Sequence, residues 1–127
     1  MVTPYQRGAF RERELAMLLR AKGHFTMRIA GSKGLFDLVT LHKGKTYLFQ
    51  VKSTKEDFVR VPKEEIRKLV GIYQKFNPED NETIAVYLAV KFKPYGWRFY
   101  PAYKMWSWLT RPSTTIKVKA EDGFEEL

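Results

Sequence analysis

The sequence has no cysteine. That removes disulfides, thiolate nucleophiles and thiolate zinc sites, and with them the secreted disulfide scaffolds. Histidine occurs twice in 127 residues, which turns any metal chemistry toward oxygen ligands and so toward magnesium or manganese rather than zinc. No uncharged apolar run approaches membrane-spanning length. The first thirty residues carry charges at Arg7, Arg11, Glu12, Arg13, Glu14, Arg20, Lys22 and Arg28. Neither a signal peptide nor a membrane span is expected, and a soluble, intracellular protein is. Internal repeats and low-complexity segments are missing too. The length suits one domain over residues 1–127, large enough to bury a core of its own.

Positive charge is abundant. Lysine and arginine number 23 against 14 acidic residues, giving a net charge of +9 and a pI near 9.8. Such an excess is the electrostatic footprint of a protein whose partner is a polyanion, most often nucleic acid.

Tyr5 to about Ala21 reads as a helix. At 100° per residue Tyr5, Glu12, Leu15, Ala16 and Leu19 share one stripe, while Glu14 falls almost opposite and is expected in solvent. Glu12 therefore sits within the apolar face. A carboxylate there is costly unless it is ion-paired or bound to a cation, and both readings stand. Gly23 supplies the stop. Phe25–Ile29 alternates like a strand, and residues 30–34 (Ala-Gly-Ser-Lys-Gly) form a loop whose glycines permit close approach of a phosphate.

Two β-rich runs, Phe36–Leu41 and Thr46–Lys52, flank the turn His42-Lys43-Gly44-Lys45 and predict a hairpin. Alternation along a strand points Gln50 and Lys52 to one face and Phe49 and Val51 to the other. Asp37 begins the partner strand, close to where Gln50 and Lys52 leave. Beyond the hairpin, Phe58–Val61 leads into a second helix with Pro62 in its first turn and an apolar stripe of Ile66, Leu69, Val70, Tyr73 and Phe76. Ile72 widens that stripe, as a core face or a subunit contact would. Thr83–Val90 is almost wholly apolar and reads as a central strand, Trp97–Tyr100 as another, and Ala102–Leu109 as a packed helix or loop. Thr114–Lys119 suits a last short strand, and Glu121–Leu127 an acidic, frayed end.

Glu12, Asp37, Gln50 and Lys52 are thus expected to converge on one sheet edge. Carboxylate oxygens there suit a divalent ion that aligns and activates a water against a phosphodiester, and a neighbouring lysine can stabilise the developing charge or orient the water. In basic surroundings this pattern points to phosphodiester hydrolysis; ordinary charges on an exposed hairpin are the simpler reading.

Four segments in register carry a resemblance. Arg7-Gly8-Ala9-Phe10-Arg11-Glu12-Arg13-Glu14-Leu15, Arg28-Ile29-Ala30-Gly31-Ser32-Lys33, Asp37 with Gln50-Val51-Lys52, and Leu88-Ala89-Val90-Lys91-Phe92 followed by Gly96-Trp97-Arg98-Phe99 resemble the archaeal-type Holliday junction resolvases. Those enzymes belong to the restriction-endonuclease-like PD-(D/E)XK nuclease superfamily. The likeness runs from about Tyr5 to Tyr100. It implies an α/β restriction-endonuclease-like core, a mixed central β-sheet flanked by helices, and Mg2+-dependent resolution of four-way DNA junctions by paired nicks from a homodimer. By the same resemblance Glu12, Asp37, Gln50 and Lys52 are catalytic, Lys52 as the lysine. Glu12, Asp37, Gln50 and the Val51 backbone carbonyl hold the metal. Arg13, Arg28, Ser32 and Lys33 meet DNA, and Leu69, Ile72 and Phe76 form the dimer interface.

One position departs. Relatives usually carry glutamate where this chain has Gln50. An amide oxygen still coordinates a metal but brings no charge, so weaker magnesium binding and better activity with manganese are expected. Related nucleases resemble this chain in carrying glutamine there. Two other functions remain open: a less selective nuclease acting on branched DNA or plain duplex, and a catalytically disabled junction-binding protein.

Overall fold

The computed structural model describes residues 3–29, 34–79 and 82–127, with the side chains of residues 4 and 5 excepted. The chain opens with helix α1 (Pro4–Ala21). The Thr3 hydroxyl accepts from the Gln6 N–H and the Gln6 side chain accepts from the Thr3 N–H, a reciprocal cap, and Pro4 occupies the first turn, where no N–H is needed. Gly23, with φ +94°, takes the left-handed turn out of the helix. Strands β1 (Phe25–Arg28), β2 (Leu38–His42) and β3 (Lys45–Thr54) follow as an antiparallel meander. The β2–β3 turn uses Lys43 (φ 49°) and Gly44 (φ 76°), both left-handed, as a two-residue hairpin turn matched to strand twist requires.

Strand β4 (Phe58–Pro62) and helix α2 (Lys63–Phe76) lead to β5 (Ile84–Phe92) and β6 (Gly96–Pro101). The five-stranded sheet has the order β1-β2-β3-β5-β6, with β3 and β5 parallel and the other pairs antiparallel. Two short 3-10 helices (Ala102–Lys104 and Trp106–Thr110) precede β7 (Thr115–Lys119), which pairs with β4 in a separate two-stranded sheet.

The near-continuous apolar run of β5 has a direct reason, because the strand is buried on both faces. Val86, Leu88, Val90 and Phe92 join Ile66, Leu69 and Val70 of α2 on one side. Ala89 joins Leu15, Ala16 and Leu19 of α1, with Phe49 and Phe99, on the other. Among the described residues no helix is long and apolar enough to cross a membrane.

Three expectations need correction. Leu69 is fully buried in the core and offers no surface to a second subunit, whereas Ile72 is half-buried and Phe76 is 48% exposed. Glu14 is not left to solvent: Lys91 approaches it at 3.4 Å, the Trp97 indole N–H donates to it at 3.1 Å, and Arg11 pairs with it at 3.2 Å. The acidic end is anchored rather than frayed, since Phe99 and Phe124 exchange backbone hydrogen bonds at 2.8 and 2.9 Å.

Candidate functional site

Asp37 is fixed by its own backbone before its side chain is considered. Its N–H donates to the Phe49 carbonyl at 2.8 Å, and its carbonyl accepts from the Ile29 N–H at 2.9 Å. So held, the residue turns its carboxylate onto β3, where Oδ2 accepts from the Val51 N–H at 2.8 Å. The Asp37 side chain therefore rests against the backbone between Gln50 and Lys52. Burial pushes its carboxyl above the usual range; Glu12 and Glu65 add to that rise, while the Val51 N–H and Lys52 oppose it.

Gln50 and Lys52 lie on the α2 face of the sheet, as strand alternation requires, with Phe49 on the α1 face. Gln50 is 7% exposed, and its Oε1 is buried without a hydrogen-bond donor among the described residues. An unmatched buried acceptor is costly. The Lys52 ammonium stands 3.0 Å from Glu65 Oε2 at the start of α2. Glu12 is ion-paired, with Arg28 Nη2 3.2 Å from its Oε1. The structure shows the ion pair of that carboxylate, and Arg28 balances its charge.

Arg13 is exposed one residue beyond Glu12. It lines a cleft of about 770 Å³ together with Arg7, Phe10, Arg11, Lys55 and Lys93. Ser32 and Lys33, expected to meet DNA, lie outside the described residues.

These residues fit a hard divalent cation. Gln50 carries an orphaned amide oxygen, and the N–H of the next residue holds an Asp37 carboxylate that burial and two neighbouring acids disfavour as an anion; a cation would relieve both penalties. Among the described residues no three acids or histidines are gathered on one point. Glu12, engaged by Arg28, acts on Asp37 only through its charge.

A model of the family described as archaeal Holliday junction resolvase (Hjc) matches residues 3–125. The chain belongs to the archaeal Holliday junction resolvase family. It is 36% identical over 88 residues to the crossover junction endodeoxyribonuclease Hjc of Methanocaldococcus jannaschii, a match spanning 69% of this chain and 61% of that relative's length. Its fold is similar to that of the Archaeoglobus fulgidus Hjc, a Holliday junction resolvase from an archaeal hyperthermophile. The TM-score is 0.69 at 25% identity, covering 91% of this chain and 85% of the other. It shares its fold also with the bacterial homing endonuclease I-Ssp6803I, with a TM-score of 0.57 at 15% identity over 94% of this chain and 77% of the other. The restriction-endonuclease-like fold is therefore that of this resolvase family member.

Glu65 escaped the sequence reading, although a signal existed. It lies four residues before Leu69 and so falls on the core-facing stripe of α2, the position that singled out Glu12 on α1. The cluster of Arg7, Phe10, Lys55 and Lys93 had no local signal, because Lys93 follows β5 and joins the others only when β5 pairs with β3.

Proposed function

We propose that this chain is a metal-dependent endonuclease that resolves four-way DNA junctions, cutting opposed strands with the two sites of a homodimer inside the cell. The observation that carries this reading is the Asp37 carboxylate held on the Val51 N–H, beside the unsatisfied Gln50 oxygen and on the strand that carries Lys52. Membership of the family supports the substrate, and the net charge of +9 supports a polyanion.

Asp37, Gln50 and Glu12 would hold Mg2+ or Mn2+, with the Val51 carbonyl completing the set. Such an ion, when bound, would supply a water of lowered pKa and a positive charge for the phosphate oxygens. Lys52 would orient the attacking water or stabilise the charge growing on the phosphate as the water oxygen bonds to phosphorus. The bridging P–O bond breaks and its oxygen takes up a proton. Arg13 binds the flanking backbone, as Ser32 and Lys33 do in this reading, while Arg28 holds and orients the Glu12 carboxylate. The amide at Gln50 lowers the charge of the ion's surroundings, which favours manganese over magnesium.

The test is strand-by-strand cleavage of a labelled four-way junction beside matched duplex and a flap, in magnesium and in manganese, with Lys52→Ala as control. Paired symmetrical nicks confined to the junction, reduced at least about a hundredfold in the control, are expected. Equal cutting of all three substrates removes junction selectivity and leaves a nuclease. Binding without cleavage in either metal identifies a junction-binding protein.

A further inference from the structure

Phe10 is 57% exposed on α1. An exposed phenyl ring on a helix is unremarkable alone, but its surroundings are not those of a core edge or an apolar patch. The cleft it lines carries Arg7, Arg11, Arg13, Lys55 and Lys93, with Glu56 as its acid. At about 770 Å³ the cleft is within the range of about 300–1,000 Å³ that admits a small ligand. The ring is also oriented: the Arg11 guanidinium carbon lies over it, 5.3 Å from its centroid, and Arg11 is itself pinned at 3.2 Å by Glu14.

Cations alone serve to hold a DNA backbone. An exposed aromatic ring among them has a different use, because every nucleobase has a face on which it can stack. Inside a continuous duplex those faces are covered by neighbouring pairs. Faces become free where strands part, in single strands and at a branch point.

We propose that Phe10 stacks on a nucleobase exposed where DNA strands separate, while Arg7, Arg13, Lys55 and Lys93 hold the phosphates on either side of it. The proposal rests on the reading of this chain as a DNA-acting protein and makes the cleft a single-strand subsite. The cleft is placed for this task. Ser53 and Thr54, which follow Lys52 on β3, also line it, so the cleft lies at the end of the strand that carries Lys52. Phe10 thereby gives the protein a means of preferring branched DNA over duplex, separate from the spacing of two active sites.

Equilibrium binding tests this without cleavage. Labelled oligothymidylate and a blunt duplex of equal length are titrated, in the absence of divalent metal, with wild type, Phe10→Ala and Phe10→Tyr. Phe10→Ala is expected to weaken single-strand binding about tenfold, the scale of one base–aromatic stack, and to change duplex binding less than twofold; Phe10→Tyr keeps near-wild-type affinity. A junction carrying 2-aminopurine at the branch point should lose fluorescence quenching with Phe10→Ala. Equal loss on both DNAs, or none on either, overturns the stacking role while leaving the DNA-acting reading intact. Unchanged DNA affinity with an altered sedimentation coefficient assigns the ring to a subunit contact and likewise overturns it. Wild type that binds neither DNA sinks both.

Discussion

The Lys52 ammonium lies 3.0 Å from Glu65 Oε2, so the lysine proposed for catalysis on β3 is tethered to the first turn of α2. Each side chain is about 30% exposed, which leaves the pair partly screened and makes position, rather than energy, its main contribution. Glu65→Ala frees the lysine to wander, and misplacement of a reacting group by an ångström is costly. Junction cleavage should fall about tenfold in kcat with KM nearly constant. Glu65→Gln keeps an acceptor for the ammonium and should fall less. Single-turnover rates with saturating enzyme measure both, and equal losses for the two variants would show that the tether is not what positions Lys52.

Gln50→Glu puts a carboxylate at a position only 7% exposed. Without metal the new anion is buried beside Asp37, whose carboxyl is already pushed up by burial and by Glu12, so the metal-free protein should melt at a lower temperature than wild type. With metal the order reverses. The extra charge should lower the magnesium concentration for half-maximal cleavage about tenfold and enlarge the rise in Tm that magnesium produces. A variant that needs no less magnesium than wild type rules out the charge explanation.

Much of this site was legible because its parts are local. Strand alternation alone fixes Gln50 and Lys52 on one face, and the helical period alone places Glu12 toward the core. What stayed hidden depends on contacts between distant segments. The angle of Glu14 on α1 points it to solvent, yet Lys91 and Trp97 come to it from β5 and β6, which helical periodicity does not see. The pairing of β4 with β7 joins residues more than fifty positions apart, from Phe58 with Lys119 to Pro62 with Thr115, so that nothing in either run alone announces a second sheet. The last residues looked frayed from their charge, but the Phe99–Phe124 bridge ties them to β6.

His24 gives the fold an acid limit of its own. The ring is 7% exposed, its Nδ1 is hydrogen-bonded to Thr40 Oγ1 at 2.8 Å, and it stacks on His42 with centroids 4.2 Å apart. Burial, then the charges of His42 and Lys22, hold its pKa below the usual value of 6.5. The unfolded chain accordingly takes up a proton at higher pH than the folded one. Stability from this group is complete above about pH 6.5 and is lost as pH falls below it toward the folded pKa. Urea midpoints should decline between pH 7.5 and 5.5, and His24→Gln should flatten that slope. A variant as steep as wild type assigns the acid sensitivity elsewhere.

Two residues on α2 separate core from exposed surface. Leu69 has no exposed surface, and Phe76, two turns further on, leaves 48% of its own uncovered. If the proposed homodimer uses this end of α2, Phe76→Glu places a charge in an apolar contact while touching little within the subunit. It should therefore shift the protein to monomer at micromolar concentration with its Tm within a few degrees of wild type after allowance for dissociation. Leu69→Ala should do the opposite, costing about 2–5 kcal/mol of stability through a cavity in the core and leaving the subunit equilibrium of the folded fraction unchanged. Sedimentation velocity and thermal melts on both variants distinguish the two roles. A Phe76→Glu protein that remains dimeric moves the interface away from α2, and paired nicking of the junction would then require the two sites to be brought together by another face.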